Sequence, residues 1–268
     1  MSTHESPQEP YCLSADQFVD FPDELGDAKK QAIIKSYKLT DTPPQEVIDL
    51  IKTDIDFALS HPDLPLENVA SRWDNYDPKN ESQRNLMEMM LRLADVPDYQ
   101  LAGLFIHGRP GVGKTHLSVA YAKRLMCQGL DTVYINFASQ FGQKAADQFA
   151  YDPEAIRRYH AVIIDDWNSA YGVEAHWIKK ILTEMHNTGG RLLMTSNQLD
   201  AESFLSNTFI DSSVDGIRLL DRMKGSLFIQ GVDGISQRQT NNWWEQGQLT
   251  TPSSDSGTVG KTALRLLP

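Results

Sequence analysis

From Val69 onward, short apolar runs alternate with amphipathic stretches of helical period, and that alternation predicts a parallel sheet covered by helices. The runs fall at residues 104–107, 133–137, 161–164, 192–195 and 227–230, which makes five strands. After the first run, Leu117, Ala120, Tyr121 and Leu125 line one face of a helix that Gly129 stops. Trp177, Ile178, Ile181, Leu182 and Met185 line another, ended by Gly189-Gly190. Ahead of the first strand, Leu86, Met89, Met90 and Leu93 repeat at i, i+3, i+4, i+7, and a methionine stripe of this kind reads as core.

Residues 1–66 follow a different pattern, acidic and interrupted by proline, with two helical stretches. One runs over 27–37. The other takes Thr42 as its cap and Pro43 in its first turn, and carries Ile48, Ile51, Ile55, Ala58 and Leu59 on one face. That stripe fits either packing on the core or docking on a partner. Residues 61–65, His-Pro-Asp-Leu-Pro, end the helix and read as a linker. The expected organisation is a partner-docking region over 1–66, a core with its lid over 67–245, and a Ser/Thr/Gly-rich disordered tail over 246–268. Trp243-Trp244 are expected to cover the edge of the last core element.

Composition narrows the function classes. Over 268 residues, 40% are hydrophobic and 23% charged, which excludes wholesale disorder. The net charge of −11 disfavours a protein that coats nucleic acid or anionic membrane with its whole surface, so contact with DNA would need a local basic patch. Lys123-Arg124, Arg157-Arg158 and Lys179-Lys180 are the available clusters, although basic pairs are mostly solvated faces. Aromatic residues for stacking lie near them only at Tyr159 and Trp177. Two distant cysteines, Cys12 and Cys127, build neither a disulfide scaffold nor a zinc site. The seven histidines show no paired ligand spacing. No leader-like start and no apolar run approaching a membrane span is present, so a cytoplasmic protein is expected.

The chemistry concentrates after the first strand. Gly108-Arg109-Pro110-Gly111-Val112-Gly113-Lys114-Thr115 satisfies G-x-x-x-x-G-K-[ST], between a strand and an amphipathic helix. Gly108, Gly111, Val112 and Gly113 belong to a backbone turn whose N–H groups face phosphate oxygens, helped by the helix dipole. Lys114 would reach the β- and γ-phosphates of ATP, and the Thr115 hydroxyl would ligate Mg²⁺. His116 sits beside the loop and is grouped with its nucleotide contacts, its ring expected to pack or face solvent. A second stretch, 257–262, imitates this loop but begins with a glycine two positions too late and follows no strand.

The run over 161–164 ends in Asp165-Asp166, 51 residues after Lys114, and a buried strand delivers such acids to the sheet edge where phosphates sit. Asp165 is the natural partner of Mg²⁺, and Asp166 would orient or deprotonate the attacking water. Asn197, at the end of the fourth run, would sense the γ-phosphate or hold the water; as a residue it also fits a strand-ending turn.

Residues 70–239 resemble the AAA+ ATPases of the DnaC/IstB branch, the bacterial replicative-helicase loaders and transposition helper ATPases. The resemblance rests on Arg72-Trp73-Asp74-Asn75-Tyr76 with Asn80 and Gln83, on Gly-Lys-Thr-His-Leu at 113–117, Ile-Ile-Asp-Asp at 163–166 and Thr-Ser-Asn at 195–197. It also rests on Leu220-Asp221-Arg222-Met223, Ser226-Leu227-Phe228 and Ser236-Gln237-Arg238. It implies a P-loop core with a five-stranded parallel sheet, a small lid and a short helical N-terminal region. It further implies Arg222 as an arginine finger offered to a neighbouring protomer, Arg238 as a lid arginine on the same protomer's nucleotide, and ATP-dependent homo-oligomers acting with a replicative helicase and single-stranded DNA. Asp166 stands where many relatives carry glutamate, and residues 1–66 lack the cysteine cluster of the zinc-bearing loaders. A transposition helper, a small-molecule P-loop kinase and a nucleotide-gated adaptor remain alternatives.

Overall fold

The computed structural model describes residues 13–37, 39, 42–95, 103–137, 153–168, 172–209 and 227–234. Five strands, β1 (Gly103–Gly108), β2 (Thr132–Asn136), β3 (Ala161–Asp165), β4 (Arg191–Ser196) and β5 (Leu227–Val232), form one parallel sheet in the order β2-β3-β4-β1-β5. All five expected strands are present, each within a residue or two of its expected bounds. The three inner strands, β3, β4 and β1, are mostly apolar and almost wholly buried because both of their faces are covered. Leu104 and Ile106 turn to one face and Phe105 to the other, so one strand feeds two cores.

On the first face lie α1 (Asp27–Ser36), α2 (Gln45–Ser60), α3 (Glu81–Asp95) and α4 (Lys114–Cys127). The expected faces are met: Leu117, Ala120, Tyr121 and Leu125 are buried on α4, and Leu86 and Met90 on α3, with Met89 and Leu93 partly buried beside them. The second face is covered by α5 (Pro153–Arg157), α6 (Gly172–Thr188) and α7 (Ala201–Phe209), and all five expected apolar residues of α6 are buried there. Among the described residues no helix is long and apolar enough to cross a membrane.

The α2 helix starts later than expected, with Pro44 rather than Thr42 at its cap. The reason is steric: a residue that precedes a proline is pushed out of the helical region, so Pro43 cannot occupy the first turn ahead of Pro44. Of the stripe expected on α2, Ile51, Ile55 and Ala58 are buried whereas Leu59 is exposed, and Asp54 and Phe57 complete the buried face. The stripe packs on the core. Ile33, Ile51, Ile55 and Phe57 share one cluster with Leu117, Tyr134 and Ile163. The 61–65 segment is itself packed, with His61 and Leu64 buried.

A buried ion network fastens these layers. Asp54 of α2, 1% exposed, takes Lys123 Nζ of α4 on Oδ1 at 2.6 Å and Arg72 Nη1 on Oδ2 at 2.9 Å. The Tyr37 hydroxyl donates to the same Oδ2 at 2.9 Å, and the Arg72 guanidinium lies 4.1 Å from the Tyr37 ring centroid. Lys123 Nζ also donates to the carbonyls of Val69 and Ser71. Burial pushes the Lys123 ammonium below its ordinary value, and the Asp54 carboxylate opposes that shift. Removing one member leaves uncompensated buried charge. Asp54→Ala is therefore expected to lower stability in urea titration by about 3–5 kcal/mol. The pair Asp54→Leu with Lys123→Met should recover part of that loss, since the ammonium no longer goes unpaired.

His61 joins α2 to the sheet. Its Nδ1 lies 2.9 Å from the Phe57 carbonyl, and its Nε2 accepts the Tyr134 N–H at 3.1 Å, which requires the neutral ring with the proton on Nδ1. Burial holds its pKa below the ordinary histidine value of 6.5. The unfolded chain thus binds the proton more readily than the folded one, and the stabilisation is complete above about pH 6.5 and is lost as pH falls below it. Thermal melts between pH 8 and 5 should show a falling midpoint below that value, with a shallower fall in His61→Gln.

Candidate active site

The loop over 108–113 joins β1 to α4, and its shape depends on glycine. Gly113 has φ +97°, and a Cβ placed there would lie 2.4 Å from Cε2 of Tyr76. Tyr76 fits against the loop only because that side chain is missing, and its hydroxyl donates to the Val112 carbonyl at 3.0 Å. Val112 is fully buried, which pins the middle of the turn. Gly108 has φ +144°, and a Cβ there would come within 2.2 Å of the Val232 carbonyl oxygen on β5. No side chain caps the start of α4, so its first N–H groups and the positive end of its dipole are aimed into the loop.

Lys114 Nζ donates to the carbonyls of Gly108 at 2.8 Å and Arg109 at 2.9 Å, and to Asn197 Oδ1 at 2.8 Å. Asn197 follows β4, which lies between β1 and β3. Its other amide atom, Nδ2, donates to Asp166 Oδ1 at 2.6 Å. A continuous line of polar contacts thus runs from the lysine through Asn197 to the second acid.

Asp165 ends β3 and is 1% exposed. Its Oδ1 accepts the Thr195 hydroxyl at 2.6 Å and its Oδ2 the Tyr134 hydroxyl at 2.8 Å, with a further hydrogen bond to the Thr115 side chain. Burial pushes its carboxyl above the ordinary aspartate value, while those three hydrogen bonds pull it down. The shared bond places the Thr115 and Asp165 oxygens together. Hard oxygen donors of this kind suit Mg²⁺. Among the described residues no three His, Cys, Asp or Glu side chains converge to cage a metal, so a magnesium ion here would take most of its ligands from phosphate and water.

Asp166 adopts φ +63°, a left-handed backbone uncommon outside glycine. Three contacts hold it there. Its N–H donates to the Thr195 hydroxyl oxygen at 2.9 Å, and its Oδ1 takes Asn168 Nδ2 and Asn197 Nδ2, each at 2.6 Å. The Trp167 N–H donates to the Thr195 carbonyl at 2.9 Å and extends the β3–β4 pairing past the acids.

Lys114, Thr115, Asp165, Asp166 and Asn197 therefore converge at one end of the sheet, the carboxyl rim where ligands of open α/β sheets bind. His116 turns elsewhere: its Nε2 lies 2.8 Å from the Arg72 carbonyl and must carry the proton, and its ring stands 5.3 Å from that of Tyr76. Burial holds its pKa below the ordinary value. Arg222, Arg238, the lid, Trp243-Trp244 and the tail lie outside the described residues. Of the basic clusters, Lys123 is spent on Asp54 inside the protein and is no surface cation. Arg124 pairs with Asp95, Arg157 with Glu184, and Arg158 stacks on Tyr159.

Tyr134, Thr195 and Asn168 join the site only through the fold. Tyr134 and Thr195 read as strand residues, and only the register that sets β2, β3 and β4 side by side brings them onto Asp165. Asn168 left a weak trace as a polar residue just after the paired acids.

The bacterial DnaA ATPase domain family matches residues 74–209. The chain is 28% identical over 146 residues to the chromosomal replication initiator protein DnaA of Aliarcobacter butzleri (strain RM4018). That match takes in 50% of this chain and 32% of the initiator, so the chain spans about a third of its relative's length. Among solved structures it is similar to DnaI, with a TM-score of 0.54, 19% identity, and coverage of 66% of this chain and 95% of that one. It is also similar to the DnaC helicase loader, with a TM-score of 0.48, 21% identity, and coverage of 61% of this chain and 97% of that one.

Among the described residues Thr195 is the one side chain that serves both acids, donating to one and accepting from the backbone of the other. Thr195→Val is expected to lower stability by about 1–3 kcal/mol in urea titration, because a buried carboxylate and an N–H each lose a partner. Thr195→Ser should stay near wild type.

Proposed function

The chain belongs to the bacterial DnaA ATPase-domain family, an AAA+ family associated with replication, and on that premise we propose that it binds Mg·ATP over Gly108–Thr115 and hydrolyses it to control assembly on a DNA-replication client. The observation that carries this reading is the line Lys114–Asn197–Asp166, set beside the Thr115–Asp165 pair at the same sheet rim. Lysine, a hydroxyl, two acids and a neutral amide are the groups phosphoryl transfer to water requires, and they stand together.

In this reading the N–H groups of Gly111, Val112 and Gly113 and the start of α4 cradle the phosphates, and Lys114 exchanges its carbonyl partners for phosphate oxygens. Bound magnesium would neutralise charge on the phosphates, with Thr115 and Asp165 as its protein ligands. Asp166 takes the proton of the attacking water, and Asn197 bridges Lys114 and the base while touching the γ-phosphate or the water. His116 contributes through its place beside Thr115, with its ring held on the Arg72 carbonyl. Arg222 reaches the nucleotide of a neighbouring protomer and Arg238 that of its own. Trans supply of an arginine is worth about 10³–10⁵ in rate in related phosphoryl-transfer enzymes, so an isolated protomer is a slow ATPase.

The client is a replicative helicase acting with single-stranded DNA, and residues 1–66 provide the docking region. Support for it is the family's tie to replication initiation and the resemblance of residues 220–238 to the loaders' lid. Calorimetry with Mg·ATP should show binding by wild type and by Asp166→Asn and a marked loss in Lys114→Ala, with turnover lost in Lys114→Ala and cut about 10²–10⁴-fold in Asp166→Asn. Turnover per protomer should rise with protein concentration, and the protein should grow in size and retain helicase when ATP is present. A phosphorylated small product, or turnover independent of concentration, would overturn the assembly mechanism.

A further inference from the structure

Resting on the hydrolytic reading above, we infer that Asn168 is a positioning residue for the water-activating acid, Asp166. Its side chain is a two-ended clamp between the segments that follow β3 and β4. Nδ2 donates to Asp166 Oδ1 at 2.6 Å and to the Asp166 carbonyl at 3.2 Å. Oδ1 accepts the Asn197 N–H at 2.7 Å and the Ser196 hydroxyl at 3.3 Å. The backbone carbonyl of Asn168 accepts Gln198 Nε2 at 3.1 Å, a third tie between the same two segments.

Two consequences follow from this geometry. First, the clamp fixes the carboxylate plane. Asn168 and Asn197 both donate to Oδ1, whereas among the described residues Oδ2 takes no donor, so the pair holds one oxygen and leaves the other to receive a proton. A general base works only within hydrogen-bond reach of the proton it takes, and a carboxylate on a short aspartate side chain has little freedom to correct an error of placement. Second, the clamp sets the separation of Asp166 from Asn197 and, through Asn197 Oδ1, from Lys114. Asn168 makes no hydrogen bond to Lys114, Thr115 or Asp165; it acts through the base and through the backbone of Asn197.

The left-handed backbone of Asp166 makes such support necessary. A non-glycine residue in that region persists only where its surroundings over-determine it. The hydrogen bonds from Asn168 supply part of that determination at both the carboxylate and the carbonyl.

The test uses the full chain at concentrations where wild type turns over. Asn168→Ala removes both ends of the clamp; Asn168→Asp keeps an acceptor for the Asn197 N–H but replaces the donor with a like charge facing Asp166. Both variants are expected to bind Mg·ATP with Kd within about threefold of wild type, while kcat falls about ten- to hundredfold, the value of a hydrogen bond to a charged group. In an Asp166→Asn background, single-turnover rates should show no further loss on adding Asn168→Ala, because the effect passes through the acid. Unchanged kcat in both variants overturns the inference. So does an equal loss in the wild-type and Asp166→Asn backgrounds accompanied by weaker Mg·ATP binding, which would mark a residue that merely holds the loop. Wild-type protein that neither binds nor turns over Mg·ATP would instead overturn the hydrolytic reading itself.

Discussion

A carboxylate buried at the rim of a parallel sheet is the constraint around which the structure is arranged. Asp165 is removed from water and must find its hydrogen bonds inside the protein, and it finds them on three different elements: Thr195 from β4, Tyr134 from β2 and Thr115 from α4. Satisfying that one group fixes the lateral position of β2 and β4 against β3 and the approach of α4 to their ends. The same hydroxyl of Thr195 then receives the N–H of Asp166, so the geometry of the second acid derives from the satisfaction of the first.

The N-terminal helices belong to this arrangement and do not merely precede it. His61, at the end of α2, accepts the backbone N–H of Tyr134, whose hydroxyl reaches Asp165. Asp54, also on α2, holds Lys123 of α4, nine residues along the helix that begins with Lys114. Arg72 completes the connection: its guanidinium lies on Asp54 and its carbonyl on His116. The start of α4 is thus tied to α2 through charges that are costly to separate in a medium from which water is excluded.

The layered fold and the heart of the site were legible because they rest on local signals. Apolar runs, the glycine spacing of 108–113 and the acids at the end of the third run each carry their meaning within a few residues. What escaped depends on contacts between segments distant in the chain. Lys123 sits in a basic pair and looks like a solvated face until α2 brings Asp54 to it. The role of α2 itself was undecided because an apolar stripe states that it must be covered and not by what. The cap at Pro44 differs from the expected Thr42 for a local reason, the second proline that keeps Pro43 out of the helical region. Thr195, Tyr134 and Asn168 acquire their roles only from strand register.

The twist in the main chain at Asp166 bears on why this position carries the shorter acid. Aspartate and asparagine visit the left-handed region more readily than residues with longer side chains, since a short polar group can bond to its own surroundings there. Lengthening the side chain by a methylene would therefore meet two obstacles at once, a less tolerant main chain and a pair of amides cut to the reach of aspartate. A glutamate at 166 thus meets a main chain and a pair of amide partners both suited to the shorter acid.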